Sequence, residues 1–251
     1  RTVNTHSHFI ETTDNFRTDL GFQNRFFKPD TSGIHNSLNL NFYPENPNIN
    51  SWTAGLFDVY LNDTDGTRIY HQLGPNFELN FATTTIGARF TDYAEILRPK
   101  DFIGVISNTR YDYENWQIDF SNNTSQTASI RASYRQGRAL NLVPTRGALP
   151  YVANTSRVDI SFFWRPIERL QIQNTYFLTE LENRNSDTKI FTNEIFRSNW
   201  NYQFTKELSL RFITQYDKTD SGPATRLEDN ENLNFDLLLR YVINPWSAFY
   251  I

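Results

Sequence analysis

Six arginines and three aspartates recur at alternate positions in the second half of the chain: Arg131, Arg135, Arg157, Arg197, Arg211 and Arg240, with Asp159, Asp217 and Asp236. Each falls on the polar side of a run in which every second residue is apolar. Rows of opposite charge along a watery lumen set up a transverse field that screens solutes by charge. These nine are therefore the candidate pore-lining or binding residues. The same pattern arises when such groups pair with one another across neighbouring strands and fill an interior.

A second set lies at the start. His6 and His8 stand two residues apart on one strand face with Ser7 opposite, a spacing that suggests a metal pair or a hydrolase site. The chain has only two further histidines, His35 and His71, zinc generally takes three or four ligands, and no acidic partner is in reach by pattern. The sequence therefore reads these as ordinary strand residues and assigns no catalytic residue, no metal ligand and no cofactor. Asp63-Thr64-Asp65-Gly66 brushes against a calcium loop but lacks the earlier aspartate and distal glutamate of one, and reads as a hairpin turn. Trp52, Trp116, Trp164, Trp200 and Trp246 fall mostly near strand ends, where interfacial anchoring is the common role and sugar stacking a rarer one.

The elements that must position these groups are long and alternate strictly. Leu208, Leu210, Phe212 and Tyr216 oppose Ser209, Arg211, Gln215 and Asp217; Leu233, Phe235, Leu237, Leu239 and Tyr241 oppose Asn232, Asn234, Asp236 and Arg240. Period two means strands, and each run keeps its phase for about the nine or more residues that a tilted strand needs to cross a bilayer. Full charges in mid-strand require water on that face. Greasy on one side and wet on the other, such a sheet fits an antiparallel up-and-down transmembrane β-barrel. Composition agrees: aromatics make up 16% of the 251 residues while mean hydropathy is −0.59. A net charge of −4 argues against nucleic acid as a partner, and the absence of cysteine removes disulfides and thiol chemistry.

Read in order, the runs predict strands over 2–10, 18–27, 37–42, 52–61, 68–81, 86–97, 110–120, 128–135, 158–164, 170–181, 189–204, 208–217, 232–241 and from 247 onward, about fourteen in all. Gly74-Pro75 predicts a bulge, Glu114 a change of phase, and 137–155 the longest irregular stretch. Connections alternate in length from residue 137 on, as in outer-membrane barrels with short periplasmic turns and longer outer loops. On that count both chain ends lie at the outer surface. Residues 1–251 then form one barrel domain, incomplete at both ends, of a parent with sixteen or more strands, its signal peptide upstream.

Asp19-Leu20-Gly21-Phe22 with Arg25, Arg165-Pro166 with Arg169-Leu170, residues 202–216 ending in Gln215-Tyr216, and residues 233–245 resemble the C-terminal barrel of a family of uncharacterised Gram-negative outer-membrane proteins. The N-terminal part of that family resembles a carbohydrate-binding module of family nine. Trp246 stands where the family pattern has glycine. The resemblance implies no catalytic residue and links the barrel to saccharides by association. The leading expectation is a non-enzymatic outer-membrane barrel that passes or binds a small hydrophilic solute, a saccharide being one candidate, with lipid and lipopolysaccharide around it. The alternatives are an accessory barrel with a plugged lumen that docks other envelope proteins, and a surface hydrolase on a barrel scaffold.

Overall fold

The computed structural model describes residues 1–13, 30–123, 125–244 and 247–250. Among them are thirteen β-strands: β1 Thr2–Thr12, β2 Thr31–Phe42, β3 Ser51–Asp63, β4 Arg68–Phe81, β5 Thr84–Leu97, β6 Thr109–Asn122, β7 Ala128–Asn141, β8 Tyr151–Ile167, β9 Leu170–Glu182, β10 Lys189–Gln203, β11 Leu208–Ser221, β12 Asn230–Asn244 and β13 Ser247–Tyr250. They form one sheet in sequence order. Twelve are long, from 11 residues in β1 to 17 in β8, and β13 has 4. No helix among the described residues is long and apolar enough to cross a membrane, which says nothing about crossing by strands.

The count corrects the expected fourteen. β1 pairs directly with β2, Thr12 opposite Thr31, so no further strand separates them among the described residues. The expected strand over 18–27, the turn at 14–15, the segment 19–25 and the residues Pro245 and Trp246 lie outside the described residues. With β1 beside β2, Thr2 faces Asn41 next to the β2–β3 connection, so Arg1 sits at the end opposite to the one that fourteen strands implied. From β4 on, connections after even-numbered strands are the short ones, such as 82–83 and 168–169, against 98–108, 142–150 and 222–229 after odd-numbered ones; the β2–β3 connection, 43–50, is a longer one on the even side.

Packing divides the chain into two units. The first comprises Arg1–Phe81, Gly87–Gln117 and Gly137–Ala153. Within it, unbroken registers put His8, His35, Val59 and Gln72 in one cross-strand row, and Thr5, Leu38, Leu56 and Pro75 in a row on the other face. Gly74 and Pro75 oppose Phe57 and Leu56 without a shift, and the irregularity falls at Leu61/Asn62 instead. The glycine is there for close approach, since a Cβ on Gly74 would stand 2.1 Å from the Phe90 carbonyl oxygen. β6 likewise keeps its phase through Glu114: Tyr111, Tyr113 and Asn115 turn to the covered side, Trp116, Ile118 and Phe120 to the exposed one. Gly137, at φ 143°, lies within β7 rather than starting an irregular stretch, and a Cβ there would stand 2.5 Å from the Glu114 carbonyl oxygen.

One end of this unit carries an apolar filling. Val59, Leu61, Ile69 and Tyr70 form one buried cluster, and Leu97, Val105, Tyr113 and Leu140 a second, with Tyr93 packed against both. Tyr93 stacks on Tyr113 at 4.8 Å between ring centres. Beside them Arg98, 2% exposed, anchors the β5–β6 loop: it donates from Nε and Nη2 to the two carboxylate oxygens of Asp101 at 2.9 and 2.7 Å and places Nη1 3.0 Å from Asp63 Oδ1. Burial opposes its charge, but Asp101 and Asp63 outweigh that and hold the guanidinium above its ordinary pKa. Asp63 also accepts hydrogen bonds from the Thr64 amide and Lys100 and starts the expected hairpin turn, its carbonyl accepting from Gly66 at φ 83°. Its oxygens are thus committed to cationic side chains and the turn backbone.

The second unit comprises Ala82–Ile86, Ile118–Gln136 and Asn154–Ile251. The registers of β8 to β12 give apolar rows that cross five strands. Ile160, Tyr176, Phe196, Tyr216 and Leu233 make one; Trp164, Ile172, Trp200, Phe212 and Leu237 make another. Phe235 and Leu237 remain 65% and 64% exposed. Between the two rows, Ser198 donates to Asn174 at 2.6 Å and accepts from Trp200 Nε1 at 2.7 Å, so the polar atoms within the greasy face satisfy one another. From Leu208 to Tyr216 this face rises roughly 26 Å along the strand at about 3.3 Å per residue. Beyond it the charged row Glu194, Lys218 and Glu231 begins, and Tyr216 donates to Glu231 at 3.1 Å.

Candidate functional site

The opposite face of the second unit holds the predicted arginines and aspartates. β8–β9, β9–β10, β10–β11 and β11–β12 registers place Arg157, Asp159, Arg197, Arg211, Asp217, Asp236 and Arg240 together on it. Arg131 and Arg135 share one face of β7. Alternation alone fixes this, because strands in register keep odd and even residues on opposite sides.

Their pairing is partial. Arg157 clamps Asp159, two residues along its own strand, with Nε and Nη2 at 2.8 to 3.1 Å from the carboxylate oxygens. Arg211 Nη2 lies 3.6 Å from Asp236 Oδ1 across β11–β12, and Asp217 accepts from Asn193 at 3.4 Å. Among the described residues no carboxylate stands within ion-pair distance of Arg131, Arg197 or Arg240. Arg197 lines a concavity of about 530 Å³ with Gln173, Thr175, Asn199 and Gln215, closed by Phe177 and Ile195. Amides, a hydroxyl and a guanidinium there offer both donors and acceptors to a hydrophilic solute.

The first unit adds a site that sequence reasoning missed. His6 and His8 share a face, as expected, and Ser7 turns away to donate to Asn36 Oδ1 at 2.7 Å. The β1–β2 register sets His35 directly opposite His8, and the three imidazoles meet: His6 Nε2 is 2.9 Å and His35 Nδ1 3.4 Å from His8 Nδ1. His71 goes to the other face, its Nε2 2.8 Å from Asp58 Oδ1. The signal for His35 lies in the direct pairing of 2–12 with 31–42, which a strand expected between them over 18–27 conceals.

Of the expected aromatic anchors, Trp52 stacks on Phe42 at 3.8 Å beside the β2–β3 connection, and Trp164 and Trp200 lie exposed near the β8–β9 and β10–β11 turns. All three belong to connections after even-numbered strands. Trp116 sits mid-strand in β6.

No family model matches the sequence, and no curated protein matches it. Among solved structures, one described as NanC porin in a rhombohedral crystal form is similar at 10% identity over 96% of this chain and 99% of that one, with a TM-score of 0.37.

Proposed function

We propose that this chain is an integral outer-membrane β-sheet protein of a Gram-negative envelope that passes or binds a small hydrophilic solute along its polar face, without covalent chemistry. One observation carries the reading: apolar rows run across five strands with Ile160, Trp164, Phe196, Trp200, Leu233 and Leu237 exposed, while the residues between them on each strand turn arginine, aspartate and amide groups to the other side. In water an apolar face of that extent is a liability; against hydrocarbon about 25 Å deep it is the lipid-facing surface of a barrel. Trp164 and Trp200 at short connections and tyrosines beside the charged row fit its two interfaces. Lipid and lipopolysaccharide are then the surrounding partners. A saccharide fits the solute class, because the surface around Arg197 is built of amide and hydroxyl groups.

The test is conductance of the purified full-length protein in a planar bilayer. Discrete steps support a pore, and the absence of ionic current sinks it. A second reading, an accessory barrel with a filled lumen that docks other envelope proteins, draws support from the buried clusters around Leu61, Tyr93 and Tyr113. It expects an intact membrane-inserted protein without current.

A further inference from the structure

We infer that His6, His8 and His35 form a binding site for one divalent first-row transition-metal ion, of the class that imidazole ligands favour: zinc, copper or nickel. Their ligand nitrogens all lie within 4.8 Å of one another. Two nitrogens bound to one tetrahedral ion at about 2.0–2.1 Å stand roughly 3.3 Å apart; two of the three separations here are 2.9 and 3.4 Å, and the third, between His6 and His35, is within 4.8 Å. Hydrogen bonding accounts for only part of the arrangement. His8 Nδ1 offers either one in-plane lone pair or one N–H, yet two neighbouring ring nitrogens converge on it. A cation placed among the three satisfies every lone pair at once.

The backbone makes the site rigid. His8 and His35 are a directly opposed cross-strand pair and His6 is two residues along the same face, so the register that holds the sheet also sets the ligand spacing. The ligand set contains no carboxylate, and Asp58 projects from the opposite face. Neutral nitrogen donors disfavour calcium and magnesium, which take oxygen. His8 and His35 also line a concavity of about 460 Å³ with Ser37, Asn39, Gln72 and Arg89. Three protein ligands leave a fourth position for water or an anion from that space. The site stands on the β1–β2 register alone, so neither outcome of the conductance measurement bears on it.

The experiment uses untagged full-length protein in detergent micelles, stripped with chelator and titrated with Zn²⁺ by calorimetry. One ion per chain is expected, with affinity reduced at least tenfold in His35→Ala and in His6→Ala and unchanged in His71→Ala. Absence of Zn²⁺ binding by the wild-type protein overturns the inference, as does wild-type affinity in His35→Ala. A measurement on the unaltered protein guards against misfolded variants: X-ray absorption of bound Zn²⁺ should show a shell with three imidazole nitrogens. A shell of oxygen alone overturns the site.

Discussion

Arg211 reaches diagonally across β11 and β12 to bring its guanidinium within 3.6 Å of Asp236, while Arg197, two strands from Asp236 on the same face, has no carboxylate within ion-pair distance among the described residues. The candidate rows are therefore neither fully paired nor fully free. On the shared face of β8–β12 four of these arginines stand against three aspartates, and Arg197 is offered to a solute because it lines a concavity.

Replacing Arg197 by glutamate should shift the reversal potential under a salt gradient towards cations. One unit charge about 4 Å from a permeating ion in water is worth on the order of 1 kcal/mol, so the permeability ratio should move by roughly fivefold or more. An unchanged reversal potential in a conducting variant would remove Arg197 from the permeation path.

Leu237 lies in the row with Trp164, Ile172, Trp200 and Phe212. If that row faces lipid, Leu237→Arg should cost about 2–4 kcal/mol in denaturant unfolding from vesicles. On a water-exposed surface the same change would fall within roughly 0.5 kcal/mol, which would defeat the membrane reading.

Arg98→Ala leaves Asp63 and Asp101, both half-buried, without their guanidinium. Because Asp63 keeps Lys100 and the Thr64 amide, the cost should fall below the roughly 3–5 kcal/mol of breaking a fully buried pair from one side. Amide hydrogen exchange should show lost protection first in residues 98–108. Arg98→Lys keeps the charge but not the two-pronged geometry and should recover only part of it.

Asp229 accepts from the Ser221 hydroxyl and, at 2.7 Å, from its amide. These bonds, with Lys189 and Lys218 nearby, outweigh slight desolvation and hold its pKa below the ordinary carboxylate value. A depressed folded-state pKa stabilises the loop closure above the ordinary value, and the contribution is lost as pH falls through the lowered one. The Ser221 amide resonance should titrate below a free aspartate, and Asp229→Asn should abolish the transition. A midpoint at the ordinary aspartate value would contradict the geometry.

Alternation along each strand was written in the sequence. Leu208 to Tyr216 and Leu233 to Tyr241 declared their greasy and wet sides locally, because successive side chains of a strand point to opposite faces whatever lies beside it. That placed the arginines on one face before any strand was paired. Partner choice between strands is not local. His35 meets His8 only through the direct pairing of β1 with β2, which no periodicity within either run reveals. Tyr113 reads as a change of phase in sequence, yet lies 5% exposed because the β5–β6 loop brings Val105 and β7 brings Leu140 against it. Period two set which residues share a side; only the fold decided what each side touches, since that depends on chain segments brought together from far apart.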